Sequence, residues 1–91
     1  MTLTKKMIIK AAVKSTGIRL EYIELVKFEG EYHWGGKAGA VFDEMNTYYK
    51  KLDDVPLERW INDLESKIAS VLETSNFKHI NDYIESVDWD N

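Results

Sequence analysis

The chain has 91 residues, no cysteine, 12 lysines and arginines against 16 aspartates and glutamates, and a formal net charge of −4. Without thiols, disulfide staples, thiolate zinc sites and cysteine nucleophiles are all excluded, and so short a chain closes one small core, read here as a single α+β domain over residues 1–91. Lys10 breaks the first apolar run short of a signal-peptide core, and no uncharged run nears the ~20 residues that cross a bilayer, so a cytoplasmic protein with no membrane partner is expected.

Charge is divided along the chain. Residues 1–20 carry Lys5, Lys6, Lys10, Lys14 and Arg19 and no acid, while residues 21–91 hold seven cations against all 16 acids. Such asymmetry predicts a surface field with two poles, able to orient an incoming partner at low salt.

The first element supports two readings. Leu3, Met7, Ile8, Ala11 and Ala12 line one helical face, with Thr2 or Thr4 as cap and Gly17 as stop. Met7, Ile9, Ala11 and Val13 also alternate as a strand does. Alanine content and the closing glycine favour helix, and in that conformation Lys6, Lys10 and Lys14 share a face.

Antiparallel sheet is expected next. "IRLEYIELVKF" places Leu20, Tyr22, Val26 and Phe28 on one side and Ile23 and Leu25 on the other, the pattern of a central or bulged strand. Glu29-Gly30 makes a tight turn into "EYHW". "KAGAVF" and "NTYYKKL" complete a three- or four-stranded meander, although Phe42, Met45, Tyr49 and Leu52 also fit a helical period over 40–52. The open edge of such a sheet leaves a homodimer as one outcome.

Two helices close the chain. In "PLERWINDLESKIASVLE" the residues Leu57, Trp60, Ile61, Leu64, Ile68, Val71 and Leu72 recur at three and four, Pro56 suits the first turn, and Asp63 and Lys67 are ordered for an i,i+4 pair. In "NFKHINDYIESV" the stripe is Phe77, Ile80, Tyr83, Ile84 and Val87, with Ser75 or Asn76 as cap. The expected architecture is an N-terminal helix, the meander, and two C-terminal helices packed on one face of the sheet.

The glycine-rich "EYHWGGKAGAVF" is the stretch that most resembles chemistry. Aligned on Gly36-Lys37, a phosphate loop would need glycine where Glu31 stands and a hydroxyl where Ala38 stands, so the motif fails at both ends. The alternative is a hairpin whose two-residue turn is Gly35-Gly36, with Gly39 marking a bulge or the close approach of another backbone.

His33 with Glu31, and His79 with Asp82, are the pairs from which a metal site or acid–base dyad would start. Neither recruits a third ligand by spacing, so no cofactor and no metal are expected. The serines lie in caps and on helix faces, not in a strained elbow.

These residues lead to a non-catalytic interaction module, an inhibitor or modulator whose acidic C-terminal helices engage a partner protein with a basic surface. The candidate contacts are Glu58, Asp63, Glu65, Glu73, Asp82, Glu85, Asp88 and Asp90, with Trp34 or Trp89 as the desolvated anchor. Trp89, between two aspartates, reads equally well as an indole folded back on the core. One alternative is a single-stranded nucleic-acid binder that uses Lys6, Lys10 and Lys14 beside Lys27, Phe28, Tyr32, Trp34 and Lys37. Another is a small hydrolase or metalloenzyme built around His33 or His79.

Overall fold

The computed structural model describes residues 2–42 and 49–89. Helix α1 spans Lys5–Thr16. The Thr4 hydroxyl accepts the Met7 N–H at 3.2 Å, and Gly17, at φ +75°, closes the helix by donating to the Val13 carbonyl. Both ends are thus satisfied locally, and Ile8 and Ala12, four apart, are sealed in the core. These caps explain why helix prevails over the competing alternation.

The expected long strand is shorter than its pattern. Leu20–Tyr22 forms a 3-10 turn, so β1 begins only at Glu24 and runs to Phe28, antiparallel to β2, Glu31–Gly35. Between them Glu29 and Gly30 both have positive φ, +54° and +82°, as a type I′ hairpin turn requires. Leu25 faces Trp34 and Lys27 faces Tyr32 across the ladder; Val26, Phe28 and His33 lie on the opposite side.

The sheet has two strands among the described residues, not the three or four expected. "KAGAVF" is helical: α2 spans Gly36–Val41. Its two alanines have the best helix propensity, and burial of Ala38 and Phe42 follows a four-residue spacing rather than alternation. Gly35-Gly36 therefore turns strand into helix, not strand into strand. Gly39 fulfils the close-approach reading, since a β-carbon there would lie 2.5 Å from the Trp34 carbonyl oxygen. The fourth expected strand lies partly outside the described residues; its Tyr49 exchanges backbone hydrogen bonds with Tyr32, a single antiparallel bridge.

Helix α3 spans Leu57–Glu73 after Pro56 and buries Trp60, Leu64 and Ile68. Trp60 is the hub. Its indole N–H donates to the Leu52 carbonyl at 2.7 Å, and its ring meets Trp34 edge-to-face at 5.8 Å and Tyr49 at 4.8 Å. Each aromatic pair of this geometry adds about 0.5–1.5 kcal/mol beyond area burial.

Helix α4 spans Ile80–Ser86 and buries Ile80 and Ile84. The cap is neither Ser75 nor Asn76 but His79, whose Nδ1 accepts the Asn81 N–H at 3.1 Å. Ser75 instead bonds back to Leu72 at the end of α3, which leaves Phe77 ahead of α4, edge-on to Tyr83. α1, β1, β2, α2, α3 and α4 all contribute to one buried cluster. No helix among the described residues is long and apolar enough to cross a membrane.

Candidate interaction surface

The C-terminal acids fall into two groups. Three are engaged inside the molecule. Asp63 accepts the Tyr49 hydroxyl at 2.8 Å and pairs with Arg59 at 3.5 Å, so the ion pair expected with Lys67 is made one turn earlier instead. Glu65 accepts the Ser15 hydroxyl at 2.5 Å, joining α3 to α1. Glu85 pairs with Arg19 at 3.2 Å and accepts the Tyr22 hydroxyl at 2.9 Å; that bond to a carboxylate is the main cause of the raised Tyr22 pKa.

Glu58, Glu73 and Asp82 are exposed and make no ion pair or side-chain hydrogen bond among the described residues. Asp88 is also exposed, and Asp90 lies outside the described residues. The engaged acids serve as internal struts; Glu58, Glu73 and Asp82 face water.

The two tryptophans proposed as anchors part company. Trp34 is 1% exposed, packed on Trp60 and α2, and offers no surface to a partner. The alternation that put it on a strand face was right, and that face is the core. Trp89 is folded back on the chain and still partly open. Its indole N–H donates to the Ile84 carbonyl at 2.8 Å, which pins the ring against the end of α4, while the residue stays 37% exposed. The Lys37 ammonium sits 5.4 Å from the Trp89 ring and 5.6 Å from the Tyr22 ring, between the two. Lys37 and Tyr22, absent from the sequence-based set of partner contacts, complete this surface; nothing in the local spacing joins positions 22, 37 and 89.

Lys6, Lys10 and Lys14 are exposed along one face of α1 as expected. The aromatics meant to accompany them are dispersed. Tyr32 is half-buried with the Lys5 and Lys27 ammonium groups 5.6 and 5.3 Å from its ring, Phe28 points from the other side of the hairpin at 64% exposure, and Trp34 is interior. They form no common stacking platform. The division of charge is also less polar in space than in sequence, because α1 lies against α3 and one shallow groove is bordered by Lys14, Glu58 and Glu65.

His79 is placed by its capping bond and stands near Gly17, and His33 meets Phe28 edge-on at 6.4 Å. Among the described residues no three His, Asp or Glu side chains converge as a metal site would need. No protein-family model, no curated protein and no solved structure is significantly similar to this chain.

Proposed function

We propose that the protein is a non-catalytic interaction module, an inhibitor or modulator that presents α4 and its flanks to a basic surface of another protein. The observation that carries this reading is the state of Trp89. Its ring is held by its own N–H, so little side-chain entropy remains to be lost on docking, yet over a third of the residue is open. A preorganised, partly open indole is the make-up of an interface hot spot, with the aromatic supplying desolvation and the exposed carboxylates of the C-terminal helices the rate of encounter. Asp82 and Glu73, which brace nothing inside the molecule, are the natural contributors to that field; Glu58 and Glu65 border α1 and contribute less.

The test starts from the partner captured by the intact protein from nuclease-treated extract of its native host. With that complex in hand, Trp89→Ala is expected to weaken binding by about 2 kcal/mol or more. Glu73→Lys with Asp82→Lys slows association, and raising salt from about 50 to about 500 mM does the same to the parent protein. Reversal of Lys6, Lys10 and Lys14 to Glu leaves the affinity in place. Binding that ignores Trp89 and salt but is lost with the three lysines overturns the proposal.

A further inference from the structure

A cleft of about 290 Å³ lies where α2, α3 and α4 meet, away from Trp89. Its lining combines the apolar side chains of Val41, Phe42 and Val71 with the hydroxyls of Ser66, Ser70, Thr74 and Tyr83 and the Asp63 carboxylate. Lys67 lines the same cleft. Its natural partner would be Asp63, four residues earlier, but one Asp63 oxygen is engaged by Arg59 and the other by the Tyr49 hydroxyl. Lys67 is left half-buried, with no ion pair or hydrogen bond among the described residues. Burial lowers its pKa, and the nearby Asp63 charge offsets that only in part.

We propose that this cleft binds a small organic carboxylate, whose anionic end is held by Lys67 and the Ser66 and Ser70 hydroxyls while its apolar body rests on Phe42 and Val71. The chemistry follows from what is missing. A cation drawn partly out of water has lost hydration that only an anion or a strong acceptor replaces, and the two serine hydroxyls have no internal partner among the described residues. A single cation, with the Asp63 carboxylate lining the same cleft, suits a monoanion better than a phosphate dianion. The volume, at the lower end for ligand pockets, and the apolar wall suit a body about the size of one ring or a short branched chain. Neither Lys67 nor the two serines belong to the acidic surface above, so the two readings stand or fall separately.

Sodium benzoate is the probe, with benzamide as its neutral isostere and inorganic phosphate as the bare anion, followed through the backbone amide resonances of the intact protein. Benzoate is expected to shift the amides of residues 66–71, Phe42 and Tyr83 saturably at millimolar concentration, and benzamide at least about tenfold more weakly. Lys67→Met keeps the aliphatic stem and reduces benzoate to the level of benzamide; Ser70→Leu fills the cleft from an exposed position and abolishes both. Each variant's own spectrum reports whether it is folded. Equal binding of benzoate and benzamide, benzoate binding unchanged by Lys67→Met, or phosphate binding as tight as benzoate each overturns the proposal.

Discussion

The Asn81 side-chain amide donates to the Gly17 carbonyl at 2.9 Å, 64 positions away, and its oxygen accepts the Arg19 N–H at 3.0 Å. One residue at the start of α4 thus brackets the exit from α1, in the stretch where the left-handed Gly17 has turned its backbone groups outward. Asn81→Leu removes both bonds and is expected to cost about 1–3 kcal/mol in urea denaturation. Asn81→Asp, which keeps the acceptor for Arg19, costs less. Equal losses for the two variants would show that the acceptor for the Arg19 N–H contributes nothing.

Glu29 occupies a left-handed position, φ +54°, as the first central residue of the hairpin turn. A side chain with a β-carbon is strained there, and asparagine is the residue that best tolerates it. Glu29→Asn should therefore raise stability by about 0.5–1 kcal/mol, seen as a higher urea midpoint with an unchanged slope.

Gly39 is held by its neighbour rather than by its own backbone angles. With 2.5 Å between an added β-carbon and the Trp34 carbonyl oxygen, α2 must lift away from β2 to admit any other residue. Gly39→Ala is expected to destabilise by about 1–3 kcal/mol despite alanine's better helix propensity. Added stability in thermal unfolding would contradict this packing.

Two groups give opposite alkaline responses. Burial first, then the bond to Asp63 and its charge, push the Tyr49 phenol above its ordinary 10.0. Its contribution is full below pH 10.0 and is lost as pH rises through the folded value. Lys67 is lowered from its ordinary 10.5, chiefly by burial. The folded state therefore carries a cost below that lowered value, relieved as pH climbs toward 10.5. Urea midpoints between about pH 8 and 11 separate the two: Tyr49→Phe removes part of the alkaline loss, and Lys67→Met removes the opposing gain.

Local signals were well written in the sequence. The caps of α1, the Glu29-Gly30 turn and the apolar stripe of α3 all appear where spacing and turn chemistry put them, because each is decided within a few residues. Residues 36–41 were harder. Val41 and Phe42 are strand formers, and only the backbone approach to Trp34 reveals why Gly39 belongs to a helix. His79 as a cap was missed for a related reason, since Ser75 and Asn76 are the more usual capping residues and the helix starts later than its apolar pattern.

The candidate surface was legible in part. Composition pointed to the acids, yet whether a given carboxylate faces a partner or braces the fold depends on contacts such as Arg19 with Glu85 and Ser15 with Glu65, made across 50 positions or more. Trp34 and Trp89 look alike in a sequence; alternation alone could not say which side of the hairpin would be the interior. Spacing makes Lys67 one half of a helix-surface pair, and the competition for Asp63 comes both from Arg59 on the same helix and from Tyr49 outside it.

The unequal fates of the three indoles give the molecule an optical division of labour. Trp34 and Trp60, crossed at 88° and shut from water, emit from a dry, rigid setting, whereas Trp89 emits from a half-wet one beside an ammonium. An external quencher therefore reaches one fluorophore well before the other two, so loosening of the carboxyl-terminal segment is visible in light while the interior pair still glows undisturbed.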